Sequence, residues 1–187
     1  RDRHNIPIQA TDFVGKKWMC IQPGTHLLSS SEFNEYCRAL REDKKCEFFE
    51  NVRSGEKLTV ETKMALSELR DLSPVHVEQI VSNGTTHKLC PYELALLLAA
   101  KSNVIITDYY YLFHPEIRDH FLSKNEIDLE NCIIIVDEAH NLPYRIKDLA
   151  SENLSTTLLK RAISEAKKYS QGKAQTYLEN LYSLLEK

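Results

Sequence analysis

Residues 132–141 read CIIIVDEAHN, a continuous run of apolar and mostly β-branched side chains followed by two acidic residues. A run of this kind, without polar alternation, is typical of a strand covered on both faces of a parallel sheet. We therefore expect a buried strand over residues 132–136, with Cys132 packed beside it. Ligands of open α/β sheets bind beyond the carboxyl ends of the strands. The side chains of Asp137 and Glu138 are thus predicted to face a ligand site.

Two adjacent carboxylates in that position can divide the work of nucleotide hydrolysis. Asp137 can hold the Mg²⁺ of Mg-ATP, usually through water, and Glu138 can orient and deprotonate the attacking water. His140 can then sense the nucleotide state and pass it to neighbouring residues. The alternative is that both carboxylates only cap the following helix near its positive end. The four β-branched apolar residues before the pair, and the Ala139-His140 step after it, favour the hydrolytic interpretation.

The second half of the sequence alternates helical and strand patterns. An apolar helix is predicted over about residues 91–101, followed by a short buried strand over Val104–Thr107. A further helix is predicted over residues 115–122, and the chain is predicted to be helical from Pro143 onward. The last apolar stripe runs to the final residue without a stop signal, which predicts that the chain is part of a longer one. This alternation is typical of an α/β fold.

The first half is predicted to contain further helices. Ser29 and Glu32 have the spacing of a capping box, which predicts the start of a helix with Cys37 on its apolar face. A second helix is predicted over Val60–Asp71. A third is expected after the Ser73-Pro74 step, ending at Gly84.

Composition and charge exclude several classes of protein. The 187 residues are 42% hydrophobic and 27% charged, with 5 Gly and 6 Pro, which excludes a disordered or fibrous protein. The glycines stand apart from one another, so the sequence contains no glycine-rich phosphate-binding loop of the Walker A type. A net charge of -3 gives no overall positive field for nucleic acid, so any such contact must be local.

The sequence also lacks the signals of a membrane or secreted protein. No stretch approaches the roughly 18 consecutive apolar residues of a membrane-spanning helix. The first residues lack the apolar core of a signal peptide. We therefore expect a soluble intracellular protein without a membrane partner, cytoplasmic in a prokaryote and nuclear in a eukaryote.

Five cysteines are widely spaced along the chain, at positions 20, 37, 46, 90 and 132. An intracellular chain uses thiols as core filler, metal ligands or nucleophiles. Structural zinc sites usually contain ligand pairs about two to four residues apart, and no pair here is that close. The spacing disfavours zinc without excluding it, and it leaves core packing and metal binding open.

Two short segments are candidates for nucleic-acid contact. Lys16 and Lys17 stand beside Trp18, and Tyr109, Tyr110 and Tyr111 form an aromatic run close to Phe113. Such residues can neutralise phosphates and stack on bases. The alternatives are a solvated turn for the lysine pair and core packing for the aromatic rings.

Several segments occur together in one order along the chain. They are Lys16-Lys17-Trp18-Met19-Cys20, Cys37, Cys46-Glu47-Phe48-Phe49, Cys90-Pro91-Tyr92, residues 103–112 and residues 134–141. In this order the sequence resembles the XPD family of superfamily 2 DNA helicases that contain an iron–sulfur domain. The resemblance covers about residues 13–145 and, more weakly, the helices beyond. Residues 137–140 match the DEAH form of the Walker B motif.

The resemblance implies a fold and a set of cofactors. The fold is α/β, part of a RecA-like helicase motor domain with an iron–sulfur insertion, followed by the first helices of an arch domain. The implied segments are residues 1–100 for the iron–sulfur domain with flanking motor residues, 101–145 for the motor segment with the DEAH box, and 146–187 for the start of the arch. Cys20, Cys37, Cys46 and Cys90 match the four thiolate ligands of a [4Fe-4S] cluster. Mg²⁺ and ATP are the expected cofactors of the full-length protein.

The resemblance also implies an activity. The full-length protein is expected to be an ATP-dependent helicase that moves 5′ to 3′ and unwinds duplex DNA in nucleotide excision repair. Its expected partners are single-stranded and forked DNA, the remaining helicase domains and the subunits of a repair or transcription assembly. The segment itself lacks Walker A and is expected to be inactive. The alternative is a non-catalytic DNA-binding or partner-docking module with a structural metal site, zinc included.

Overall fold

A computed structural model describes residues 8–151 and 154–185 of the chain. The strands are β1 (Ala10–Phe13), β2 (Arg53–Ser54), β3 (Lys57–Leu58) and β4 (Val104–Thr107). The helices before β4 are α1 (Lys16–Met19), α2 (Ser30–Glu42), α3 (Glu47–Glu50), α4 (Val60–Asp71), α5 (Val77–Thr86) and α6 (Pro91–Ala99). Those after β4 are α7 (Tyr110–Phe113), α8 (Pro115–Asn125), α9 (Leu142–Leu149), α10 (Thr156–Lys168) and α11 (Gly172–Leu185). The mixture of helices with a small parallel sheet agrees with the predicted α/β class.

The parallel sheet consists of β1 and β4. The two strands pair in register from Ala10 opposite Val104 to Phe13 opposite Thr107. On its other side β1 is bonded to Val75, two residues before α5, because the N–H of Asp12 donates to the carbonyl of Val75 at 3.0 Å. The strand predicted over Val104–Thr107 is therefore confirmed. Its predicted burial is wrong, since its residues are exposed or half-buried.

The strand predicted over residues 132–136 is absent, because this segment is extended backbone without a paired strand in the described part of the chain. Ile133 is 93% exposed and Ile135 is 89% exposed, so the predicted burial is also wrong. Cys132 is exposed, with its thiol donating to the carbonyl of Asp128 at 3.2 Å, and is not a packing residue. An apolar run forms a buried strand only where neighbouring strands supply hydrogen-bonding edges. The described residues offer none to this segment.

The core of the unit Arg1–Asp137 forms around α6. This helix is apolar on nearly all sides, which is typical of a helix buried in the centre of a domain. Pro91 occupies its first turn, where a missing N–H has no cost. The ring of Phe13 on β1 packs against those of Tyr92 at 5.2 Å, Tyr111 at 4.8 Å and Phe121 at 5.1 Å between centroids. The core therefore joins β1, α6, α7 and α8.

Two helix boundaries differ from the predicted ones. Helix α5 begins at Val77, and the Oγ of Ser73 accepts a hydrogen bond from the N–H of Ala10 at 3.0 Å instead of capping a helix. Gly84 lies inside α5 and does not end it. A Cβ at this position would lie 2.8 Å from Pro91 Cγ, so Gly84 permits the close approach of α5 to the start of α6.

The predictions of α2, α4 and α6 are confirmed, since these helices occur where they were expected. The capping box of α2 is formed: Ser29 Oγ accepts from the N–H of Glu32 at 3.3 Å, and Glu32 Oε2 accepts from the N–H of Ser29 at 2.8 Å. Helix α8 runs from Pro115 to Asn125, three residues beyond its predicted end.

The structure divides into two units, Arg1–Asp137 and Glu138–Lys187. In the second unit, α10 and α11 pack on each other and bury Leu159 and Ala166, with Lys167 Nζ 3.4 Å from Glu179 Oε1. The helical prediction from Pro143 onward holds for the described residues apart from the segments between α9, α10 and α11. Among the described helices, none has the length and apolar character needed to cross a membrane.

Candidate functional site

Four cysteine side chains line a single cavity in the unit Arg1–Asp137. Cys20 follows α1, Cys37 lies on α2, Cys46 directly precedes α3 and Cys90 directly precedes α6. The cavity measures about 30 Å³. Thiols from four separate segments therefore meet around one small space. Cys132 does not line it.

Local hydrogen bonds hold these segments together. The N–H of Cys90 donates to the carbonyl of Phe48 at 2.8 Å, which ties the start of α6 to α3. Gln22 Nε2 donates to Cys46 Sγ at 3.6 Å, which ties the segment after α1 to the start of α3. The arrangement of the thiols is thus built into the backbone and its nearest side chains.

The rest of the cavity lining is mainly apolar, with two cations. The apolar and aromatic residues are Ile21, Phe33, Tyr36, Leu40, Phe48, Phe49, Pro91 and Tyr92. Lys16 Nζ lies 5.0 Å from the centre of the Tyr92 ring, and the guanidinium carbon of Arg41 lies 4.1 Å from the centre of the Phe49 ring. Both contacts have cation–π geometry. The cavity therefore combines a mainly apolar lining with two cations and one carboxylate, that of Glu93.

Burial controls the protonation of the thiols. It raises the pKa of Cys20, of Cys37 and of Cys90, the last to about 12. The charges of Lys16 and Arg41 lower the pKa of Cys37, but less than burial raises it. These three thiols are therefore neutral at pH 7 unless a bound cation stabilises the thiolate form. Within residues 8–151 and 154–185, no group of three or more His, Cys, Asp or Glu side chains is arranged to hold a single metal ion.

The acidic motif has its own geometry. In the first unit, the hydroxyl of Tyr109 donates to the backbone carbonyl of Asp137. In the second unit, His140 Nδ1 lies 3.1 Å from Glu138 Oε2. Glu138 has a left-handed backbone with φ of 49° and precedes the short 3₁₀ helix Ala139–Asn141. Non-glycine residues with positive φ are uncommon and concentrate at functional sites.

The residues predicted to contact nucleic acid lie in different environments. Trp18 is 76% exposed, with Lys17 Nζ 5.3 Å from its ring centre. Lys16 lines the cysteine cavity. Tyr111 is buried in the core, where its hydroxyl donates to the carbonyl of Val14 at 3.1 Å and its ring contacts Phe13 and Phe121. Its ring faces are therefore covered by protein in this structure.

Tyr109 and Tyr110 are half-buried. Tyr109 bonds to Asp137, as described above. The ring of Tyr110 stacks on that of His114 with 6.4 Å between centroids. The three tyrosines that are consecutive in the sequence thus have three different surroundings.

Arg41 and Gln22 are two of the cavity residues that sequence reasoning missed. Arg41 lies four positions after Cys37 on α2, and residues at this spacing share a helix face. That spacing could have placed Arg41 beside the thiol. Gln22 follows Cys20 by two positions in a turn, and no local pattern indicates that its amide reaches Cys46.

The chain is a mixed α/β protein with a parallel pair of strands, β1 and β4, and a buried helix, α6. The segment that contains the four cavity cysteines lies between β1 and β4 in sequence. A family model described as DEAD_2 matches residues 2–159, and the chain belongs to this family.

Three relatives with similar sequences are named as helicases. ATP-dependent DNA helicase CHL1 of Coccidioides immitis (strain RS) is 29% identical over 194 residues, which cover 96% of this chain and 21% of that protein. Regulator of telomere elongation helicase 1 of Bos taurus is 30% identical over 141 residues, which cover 75% of this chain and 10% of that protein. CHL1 of Saccharomyces cerevisiae (strain YJM789) is 30% identical over 161 residues, which cover 83% of this chain and 18% of that protein. The chain spans about a tenth to a fifth of the length of these curated relatives.

Proposed function

We propose that this chain is a segment of an ATP-dependent DNA helicase of the XPD type within superfamily 2. The observation that carries the proposal is the DEAD_2 match over residues 2–159, which includes the Asp137-Glu138-Ala139-His140 motif. Relatives named as DNA helicases support the same activity. Movement from 5′ to 3′ and a role in nucleotide excision repair belong to the proposal through the resemblance to XPD. The names of the relatives support helicase activity and no particular pathway.

In this proposal the residues of the acidic motif have separate tasks. Asp137 holds the magnesium ion of the substrate Mg-ATP. Glu138 orients the attacking water and accepts its proton, so that the hydroxide attacks the terminal phosphorus and the bond to ADP breaks. His140, whose Nδ1 lies 3.1 Å from Glu138 Oε2, senses the nucleotide state and passes it to neighbouring residues.

The proposal assigns the cysteine cavity to a [4Fe-4S] cluster. Such a cluster takes four thiolates, and four thiols line this cavity. Burial raises the pKa of Cys20, Cys37 and Cys90, so a bound cluster would have to displace the protons of these thiols. The mainly apolar lining also fits a buried cluster. When bound, the cluster supplies four covalent links between distant segments.

DNA contact is proposed at the exposed side chains of α1, the helix that precedes Cys20. Trp18 offers a free ring face to a base, and Lys17 beside it offers charge to a phosphate. Tyr109 and Tyr110 are proposed as further contacts, and Lys16 as a charge near the path of the strand. Tyr111 would need to leave the core to take part.

The function is tested by Glu138→Gln in the full-length protein. Loss of the general base should lower the rate of ATP hydrolysis by about 10²- to 10⁴-fold. Binding of ATP should be retained, because the substitution leaves Asp137 in place. Turnover and nucleotide binding are measured on the same preparation.

The matched control for this test is Glu130→Gln. Glu130 is another exposed carboxylate upstream of the motif, and its neutralisation should leave turnover unchanged. A Glu138→Gln protein that hydrolyses ATP at the rate of the wild type would favour the non-catalytic DNA-binding or docking module instead.

A further inference from the structure

Arg41 has an unusual environment in the cysteine cavity. Its side chain lies one helical turn beyond Cys37 on α2 and lines the cavity together with the four thiols. Its Nε is buried and has no hydrogen-bond partner in the described structure. A buried charged donor without an acceptor is unfavourable, so a group that accepts this hydrogen bond would stabilise the arrangement.

The guanidinium group is held in place by an aromatic ring. Its central carbon lies 4.1 Å from the centre of the Phe49 ring, three residues after Cys46. The stacking fixes the plane of the guanidinium and connects the helix that carries Cys37 to the helix that follows Cys46. Arg41 is therefore a fixed cation between two of the four thiol-bearing segments.

The cavity contains charges besides that of Arg41. The side chains of charged residue types that line it are those of Lys16, Arg41 and Glu93. Glu93 Oε2 is already within 3.7 Å of Lys124 Nζ, and Lys16 lies over Tyr92. Neither of these contacts satisfies the Nε of Arg41. An anion inside the cavity would do so.

We propose that Arg41 is a positioning residue for the [4Fe-4S] cluster, donating its Nε–H to the sulfur ligands and balancing the negative charge of the four-thiolate cluster. This inference rests on the proposed assignment of the cavity to a cluster. Hydrogen bonds to sulfur and nearby positive charge both favour the more reduced, more negative form of a cluster. Arg41 therefore raises the reduction potential and slows loss of iron.

Arg41→Met tests this role in the full-length protein, purified without oxygen. Methionine keeps much of the length and apolar stem of arginine but removes the charge and the donor. We expect a lower reduction potential and about 10- to 100-fold faster loss of iron to a chelator, a typical effect of removing an outer-shell partner of a metal site. The visible absorption spectrum follows both measurements.

Two further variants separate this role from simple packing. Arg41→Lys keeps the charge without the planar fork, and its potential should lie between those of the wild type and Arg41→Met. Arg38→Met removes an exposed arginine on the same helix that does not line the cavity, and it should behave as the wild type. If Arg41→Met misfolds, Arg41→Lys still reports the reduction potential of the cluster and the rate of iron loss.

The outcomes distinguish this inference from the function on which it rests. A wild-type protein without iron and sulfide would overturn the cluster and the role of Arg41 together. A loaded wild type whose potential and rate of iron loss are unchanged in Arg41→Met and Arg41→Lys would overturn the role of Arg41 alone.

Discussion

Gly84 lies on α5 in close contact with the start of α6. The N–H of Leu89 donates to the carbonyl of Gly84 at 2.8 Å, and the pyrrolidine ring of Pro91 lies against the position where a side chain would begin. Cys90 lies between Leu89 and Pro91 in sequence, so the close approach of α5 to α6 also positions Cys90 at the cavity. The glycine is thus required by space and not by an unusual backbone angle.

Gly84→Ala should destabilise the protein. The new methyl group would lie 2.8 Å from Pro91 Cγ and 2.9 Å from the carbonyl oxygen of Leu89. Overpacking of this kind costs about 1–3 kcal/mol. That cost exceeds the stability that alanine contributes inside a helix, up to about 1 kcal/mol. Chemical denaturation should show a lower midpoint for the variant.

Gly172→Ala is the matched control for that comparison. Gly172 also belongs to a helix, α11, but a Cβ there would meet no atom within 4 Å. Its denaturation midpoint should be unchanged or slightly higher. Equal midpoints for both glycine variants would contradict the steric explanation.

At the scale of elements, an ion pair joins β1 to the start of α5. His76 is the N-cap of α5, and its Nδ1 lies 2.9 Å from Asp12 Oδ2 on β1. The hydrogen bond and the charge of Asp12 raise the pKa of His76 above its ordinary value of 6.5. Because the pKa is raised in the folded state, the pair stabilises the fold below pH 6.5. This contribution is lost as the pH rises through the folded pKa.

An NMR titration of the histidine ring protons should therefore place the pKa of His76 above 6.5. In Asp12→Asn the hydrogen-bonding carboxylate and its charge are removed, and the pKa of His76 should fall toward its ordinary value. Asp148→Asn, which removes an exposed carboxylate in the other unit, serves as the control and should leave His76 unchanged. If Asp12→Asn leaves the titration of His76 where it was, the two side chains do not interact in solution.

Elements set by local chemistry could be predicted from the sequence, and elements set by distant partners could not. The Ser29 and Glu32 pair specifies the start of α2 within three residues, so the spacing was sufficient. Ser73 has an equally good capping side chain, but Ala10, far away in sequence, uses its oxygen instead. The apolar run at 132–136 predicted a buried strand, but such a run is buried in a sheet only where other strands pair with it. Hydrophobicity does not encode that pairing.

At the scale of the whole molecule, the proposed cluster in the cysteine cavity predicts the iron content of the protein and how that content can be lowered. The anaerobically purified full-length protein should contain iron and sulfide and should absorb visible light, as a [4Fe-4S] protein does. Cys46→Ser should lose most of this iron, because its thiol is one of the four that line the cavity. Treatment with a chelator should have the same effect on the wild type. Iron and sulfide analysis with the absorption spectrum measures both.

Cys132→Ser is the control for the cysteine variant. Cys132 is exposed and away from the cavity, so its replacement should leave the iron content unchanged. One equivalent of zinc without a visible chromophore would contradict the cluster and support the zinc-stabilised alternative.

The sequence was sufficient to predict which cysteines form the candidate site. It was not sufficient to predict which other side chains line the cavity. Cys20, Cys37, Cys46 and Cys90 could be selected together because their order along the chain resembles a family pattern, and the structure brings all four to one cavity. The two cations of the lining depend on tertiary packing, and Lys16 was expected at a DNA surface only. Tyr111 illustrates the same limit, because a sequence cannot show which of three consecutive tyrosines turns into the core.

The order of β1, the four cavity cysteines and β4 along the chain has a consequence for synthesis. A ribosome releases the chain from its amino end at about 5–20 residues per second. All four thiols lie between the paired strands in sequence, so each has been translated before the first residue of β4 exists. We expect that iron can be delivered to the nascent chain while β1 still lacks its partner. The parallel pair of β1 and β4 can therefore form only after all four cavity cysteines have been synthesised.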